Sequence, residues 1–198
     1  MNIVIYAANS LVGQAVVKRA LANSYNVTAF IEDSHKFFQK HKNLRVLEGN
    51  FLDPVRIDRA LWGQDAVLIT FGTGIDLRPL RLFSTSTQLI IKSMRQQKIQ
   101  RVVCLSTAWL FYRDIPSTYS LIVADHSRQV EVIRNSPLEW VAVCPPEVTR
   151  QPAQRKYRIA KSKLPNLGMH ISKFDVADLM LSQLHTDDNL YQLIGIAQ

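Results

Sequence analysis

IVIYAANSLVGQAVVKRAL, residues Ile3 to Leu21, is the stretch from which the rest of the chain can be read. Ile3, Val4 and Ile5 form a short β-branched run, which predicts a strand; Val12, Val16, Ala20 and Leu21 then recur at helical spacing. Between them lies a tight turn, Ala7-Ala8-Asn9-Ser10-Leu11-Val12-Gly13. The first N–H groups of a helix have no intrahelical acceptor and sit at the positive end of its dipole, so a turn of this kind offers a seat for a phosphate. In an open α/β sheet it falls at the carboxyl end of the first strand, the edge where ligands gather.

The turn is an imperfect Gly-x-Gly-x-x-Gly pattern. Ala7 and Ser10 stand at two of the glycine positions, and only Gly13, where helix packs on strand, is kept. A tight βα connection that binds nothing is the alternative for this stretch, so the decision rests on the remaining chain.

A second strand is expected at Val27–Ile31, ending in Glu32-Asp33-Ser34, about where such folds place an acid against the adenosine ribose. Lys36 argues oppositely, since it would favour a 2′-phosphate that Glu32 repels. A third strand, Leu44–Leu47, leads to Gly49-Asn50-Phe51-Leu52-Asp53-Pro54; Asp53 suits an N-cap and Pro54 a first helical turn. Strands are also expected at Ala66–Thr70, Arg101–Ser106 and Trp140–Cys144, with helices over Leu80–Met94 and Leu121–Asn135. Ser172-x-x-Asp175 reads as a capping box opening a last helix through Val176, Leu179, Met180 and Leu184. The alternation predicts one domain over residues 1–198: a doubly wound, Rossmann-like α/β fold with a mostly parallel sheet, helices on both faces, and a substrate-side segment over about 147–198.

Composition narrows the field. With 47% hydrophobic and 20% charged residues, the chain has the make-up of a packed domain. No apolar run approaches a membrane span, and the first strand starts too early for an export signal, so a cytoplasmic protein is expected. Cys104 and Cys144 sit in apolar runs and read as buried free thiols, and no Cys/His spacing suggests a metal site. The net charge is +8, with a basic stretch from Arg150 to Lys163 that is either a solvated surface or a rim for an anionic ligand. Without a zinc-finger spacing or an aromatic RNA-binding signature, this charge does not point to nucleic acid.

The helix after the fifth strand lacks the Tyr-x-x-x-Lys pair of many hydride-transferring enzymes. Tyr157 and Lys161 match that spacing, but in a segment read as extended, where the two side chains stand too far apart. Near the expected nicotinamide position remain Ser106, Thr107, Trp109 and His126. Thr107 could bond a substrate or its own backbone, and His126 could handle a proton near neutral pH or lie on the surface.

Several motifs occur in a characteristic order: Gly49-Asn50-Phe51-Leu52, Gly63-Gln64-Asp65-Ala66-Val67, Gly72-Thr73, Ser106-Thr107-Ala108-Trp109-Leu110, Asp125-His126, Val141–Pro146 and Ile171–Asp175. Together they resemble the NAD(P)H-dependent flavin reductase and biliverdin-IXβ reductase family among the atypical short-chain reductases. The resemblance implies that Ala7, Asn9, Ser10, Leu11 and Val12 meet the pyrophosphate, Glu32 and Lys36 the adenosine ribose or its phosphate, and Asn50 and Phe51 the adenine. Gly72, Thr73, Ser106, His126 and Pro145 would line the rest of the cofactor site. Thr107 matches the family's active-site serine; Trp109, Glu147 and Arg155 would face the substrate. The chain departs from the family at Ala7, Ser10, Glu32, Asn50 and Glu147, which leaves the choice between NADH and NADPH open. The implied activity is hydride transfer from NADH or NADPH to a flavin or similar planar, anionic acceptor, by a monomer or weak homodimer, with Thr107, Ser106 and His126 as the catalytic set and flavin as substrate. The alternative is a non-catalytic dinucleotide sensor or scaffold of the NmrA-like kind; an epimerase or dehydratase is disfavoured by the missing Tyr-x-x-x-Lys pair.

Overall fold

The computed structural model describes residues 1–72 and 81–198, without the Lys36 side chain. Six strands and four helices alternate first: β1 (Asn2–Tyr6), α1 (Leu11–Ala22), β2 (Asn26–Ile31), β3 (Leu44–Glu48), α2 (Pro54–Leu61), β4 (Ala66–Ile69), α3 (Leu82–Gln96), β5 (Arg101–Leu105), α4 (Ser120–Arg134) and β6 (Glu139–Cys144). Then follow β7 (Glu147–Thr149), β8 (Arg158–Lys161), β9 (His170–Ser172), α5 (Lys173–Ser182) and β10 (Gln192–Ala197).

The main sheet runs β3-β2-β1-β4-β5-β6-β10-β8, parallel throughout except where β8 pairs antiparallel with β10. A short parallel pair, β7 with β9, lies apart from it. Strands buried on both faces need apolar side chains at every position, and β1 supplies them. Ile3 and Ile5 join the core under α1 and α5, while Val4 and Tyr6 join the core under α2, α3 and α4. The chain order reverses at β1, which has β2 on one side and β4 on the other. That reversal opens a crevice at the carboxyl ends of the strands, beside the first βα turn.

The expected fold is the observed one, with differences of detail. Residues 157–161 are extended, as read, and Arg158–Lys161 is an edge strand on β10. Four residues of strand separate Tyr157 and Lys161 by about 13 Å, so they form no catalytic pair. β7, β9 and β10 were not foreseen. α3 starts at Leu82; Leu80, the expected first residue, lies outside the described residues.

The capping box is half right. Ser172 Oγ accepts the Phe174 N–H at 3.2 Å, but Asp175 does not close the box. Its carboxylate instead accepts the N–H groups of Gln154 and Arg155, each at 3.0 Å, and the Gln198 amide at 3.0 Å. These donors outbid the local one because a fully buried carboxylate needs every lone pair satisfied. Cys104 and Cys144 are free and buried, as expected. Among the described residues, no helix is long and apolar enough to cross a membrane.

Candidate functional site

The first βα turn keeps its shape without two of its glycines. Ala7 adopts φ 57°, the left-handed region, which costs a non-glycine residue about 1–2 kcal/mol. A hydrogen-bond network holds it there. Ser10 N donates to Ala7 O at 2.9 Å, and Thr70 Oγ1 lies 2.7 Å from Tyr6 O and 3.0 Å from Ala7 O, its one proton shared between the two carbonyls.

Ser10 N-caps α1. Its hydroxyl accepts from Gly13 N at 2.9 Å and donates to Thr70 O at 2.9 Å, so the side chain is turned into the protein rather than into the crevice. Ser10 is 7% exposed. The N–H groups of Leu11 and Val12 meet no acceptor among the described residues. Gly13 is required by space: a Cβ would collide with Ala7 O and come within 2.7 Å of Thr70 Oγ1 and 2.9 Å of Ala8 Cα.

At the end of β2, Glu32 is exposed. Asp33 accepts the His35 N–H at 3.0 Å and caps the 3-10 turn Ser34–Lys36, while Ser34 N donates to Glu48 at 3.3 Å. Asn50 Oδ1 accepts the Leu52 N–H at 2.7 Å, which shapes the loop ahead of α2. Phe51 is buried, so only its backbone could meet an adenine. Its ring belongs to a row running under the strand ends: Tyr6 to Phe30 (5.2 Å), Phe30 to Phe51 (5.7 Å), Phe51 to Phe71 (5.0 Å), Phe71 to Phe83 (5.3 Å) and Phe83 to His126 (4.9 Å). These rings make a close-packed apolar floor.

Across the crevice, Gly72 closes β4; a Cβ there would sit 3.3 Å from Leu105 Cδ2. Thr73 lies outside the described residues. Ser106 N donates to Val143 O at 2.8 Å, and its buried Oγ lies against the Cys144 thiol. Burial pushes that thiol up to about 12 despite this contact, so it stays protonated. Ala108 N donates to Pro145 O at 2.8 Å, pinning the segment after β5 to the end of β6. Thr107 Oγ1 accepts the Trp109 N–H at 3.3 Å and caps the turn Ala108–Phe111. The Trp109 ring stacks on Tyr119 at 5.5 Å and 23° and meets Tyr112 at 5.6 Å.

His126 is in the core rather than on the surface, at 3% exposed. Its Nδ1 lies 3.1 Å from Gln129 Oε1, an acceptor, which fixes the proton on Nδ1; Gln129 Nε2 in turn donates to Thr87 Oγ1 at 3.1 Å. Burial lowers its pKa from 6.5 to about 4, against the opposing pull of Gln129 and Asp125. At neutral pH the ring is uncharged and is no proton source. Because the folded value lies below the unfolded one, the unfolded chain takes up the proton first as pH falls. Stability is therefore complete above about pH 6.5 and declines toward pH 4, by about 3 kcal/mol from this residue. Urea melts of wild type and His126→Leu at pH 7 and pH 4.5 check this, and the acid loss should shrink in the variant.

The neighbouring Asp125 has a structural task. Its carboxylate accepts Phe83 N (2.8 Å), Ser84 N (3.3 Å) and Ser84 Oγ (2.6 Å), capping α3 from another helix. α3 needs this because its own N-cap residue, Arg81, is left-handed at φ 70° and contributes no side-chain bond. Glu147 is exposed at the start of β7, and Arg155 is exposed at φ 55° in the loop that Asp175 holds. Part of the basic stretch is structural. Arg158 bonds the carbonyls of Asn166 (2.8 Å) and Gln198 (3.1 Å), and Lys161 bonds Asp188 O (2.8 Å).

Thr70 and the capping role of Asp125 were missed in the sequence. Each joins residues at least 41 positions apart, and no local pattern marks such a contact.

A parallel sheet that reverses beside a capped βα turn defines a Rossmann-type, nucleotide-binding α/β domain. The chain belongs to the NAD(P)H-binding family, whose sequence profile matches residues 7–187. Solved structures share the whole architecture. A protein from Burkholderia pseudomallei, provisionally named as exported, superposes with a TM-score of 0.86 at 18% identity, over 100% of both chains. One from Streptococcus pneumoniae, provisionally named an NADH-flavin reductase, gives 0.84 at 20% identity, over 100% of this chain and 99% of that one. A short-chain dehydrogenase/reductase from Veillonella parvula, solved in complex with NADP, gives 0.81 at 18% identity, over 100% and 94%. At such identities the likeness establishes the fold.

Proposed function

We propose that this protein is an NAD(P)H-dependent reductase that passes a hydride to a flavin or similar planar acceptor. The observation that carries the reading is the inward turn of the Ser10 hydroxyl at the start of α1, where the Leu11 and Val12 N–H groups meet no acceptor among the described residues. An empty-handed helix start beside a strand end is what a pyrophosphate needs.

In this reading the backbone from Asn9 to Val12 holds the pyrophosphate, Glu32 accepts from a ribose hydroxyl, and the backbone of Asn50 and Phe51 borders the adenine. Bound reduced nicotinamide would supply the hydride. The buried Ser106 hydroxyl, beside the Cys144 thiol, would bond a carboxamide, and Thr107, whose oxygen accepts from Trp109 N, keeps its proton to donate to the acceptor. Trp109, stacked on Tyr119, walls the acceptor pocket. With His126 neutral and buried, the proton that completes the reduction comes from water, and the acceleration comes from holding the two rings in contact.

Calorimetry with NADH and NADPH, followed by assays of nucleotide oxidation with FMN, FAD, riboflavin and biliverdin, tests this. Binding with turnover on at least one acceptor is expected. Binding without turnover would favour a dinucleotide sensor. No binding of either nucleotide would reject both.

A further inference from the structure

Between α1, residues 39–41 and the first turn of α5 lies a groove of about 550 Å³. Lys18, Lys40, Lys173 and His41 line it, and no carboxylate does among the described residues. Two of these lysines converge on one ring: Lys18 Nζ is 5.7 Å and Lys173 Nζ 5.1 Å from the centroid of Phe174, with the Arg19 guanidinium 5.3 Å away. Arg19 is answered by Asp178 at 3.0 Å. The lysines take part in none of the ion pairs among the described residues.

The groove is built rather than incidental. Gln39 Nε2 donates to Gln14 O at 3.0 Å, tying its outer wall to α1. His41 Nδ1 accepts the Asn43 N–H at 3.1 Å, so the imidazole proton is on Nε2 and available to an acceptor. Its apolar lining is Ala15, Leu21, Ala22 and Phe174. Two lysines converging on Phe174, with Lys40 on the same rim and none of the three in a described ion pair, match an anion with a hydrocarbon body.

We propose that this groove binds a small organic phosphate of at least two negative charges, at a site separate from the dinucleotide turn. It uses the outer face of α1, whereas the turn uses the helix start, and it stands whether or not the protein proves to be a reductase.

The test is titration of the isotope-labelled full chain with 1-naphthyl phosphate and with inorganic pyrophosphate, followed by backbone amide resonances, with and without NADPH. Expected are shifts at Ala15, Lys18, His41 and Phe174, tighter binding of the naphthyl ester by about tenfold from its apolar body, and no displacement by NADPH. Lys18→Gln/Lys40→Gln/Lys173→Gln should weaken binding at least about tenfold at low salt, since each charge contributes directly; single Lys40→Gln should weaken it less and supplies the result if the triple variant does not fold. The proposal is overturned by shifts confined to Asn9–Gly13, by displacement with NADPH, or by unchanged affinity in the variants. It is overturned as well if phosphatidic acid vesicles or a single-stranded oligonucleotide bind these residues in preference to the free ester, since the occupant would then be a membrane or a nucleic acid.

Discussion

Gly13→Ala is expected to lower the melting temperature by about 4–8 °C and to weaken binding of whichever of NADH and NADPH the wild type takes up at least tenfold. Alanine is the better helix former by about 1 kcal/mol, so propensity alone predicts a gain. Sterics decide otherwise. The added methyl would strike Ala7 O and stand 2.9 Å from Ala8 Cα, both backbone atoms that cannot rotate aside. α1 would have to move off the turn, weakening the bonds of Ser10 N to Ala7 O (2.9 Å) and of Ser10 Oγ to Thr70 O (2.9 Å), on top of overpacking that typically costs about 1–3 kcal/mol. A net loss of about 2 kcal/mol in a domain of this size gives that temperature shift. Ser10→Ala, which removes the cap but adds no bulk, should cost about 1 kcal/mol and serves as the comparison. If Gly13→Ala melts and binds like wild type, the turn neither packs as described nor holds the nucleotide.

Asp125→Ala should be still more damaging to stability, by about 3 kcal/mol, or about 6–12 °C. Removing the carboxylate strands the Phe83 and Ser84 N–H groups at the buried start of α3, and each unsatisfied donor costs about 1–3 kcal/mol. The Ser84 hydroxyl escapes, because it also reaches Arg81 O at 3.2 Å. Asp125→Asn keeps one acceptor oxygen and should lose roughly half as much. Amide exchange reads the mechanism directly: protection of Phe83 and Ser84 should fall first. Equal protection in wild type and Asp125→Ala would refute the cap.

Much of the architecture was legible because strands covered on both faces have little choice of residue. Val102–Leu105 and Trp140–Cys144 are apolar at every position and buried at every position. β7 and β9 were not legible because three-residue strands carry no period. β10 was hidden by Gly195, a residue that argues against a strand until the structure shows the chain at Lys163 and Leu164 crossing directly over it. Ser10 lies in the βα turn where the sequence put it, but the direction of its side chain was not readable, since Thr70 is sixty positions away. The burial of His126 could have been inferred: it follows Val123 by three residues and precedes Val130 by four, on the same face of α4. Asp175 had the right spacing for a local cap and was claimed instead by a loop twenty residues upstream.

The position of β10 between β6 and β8 sets an order of assembly. Until Gln192–Ala197 is in place, Arg158–Lys161 has no strand beside it and β6 presents a bare peptide edge. β10 is thus the keystone on this side of the sheet, and a chain from which it has come away would offer that open border to any passing extended segment.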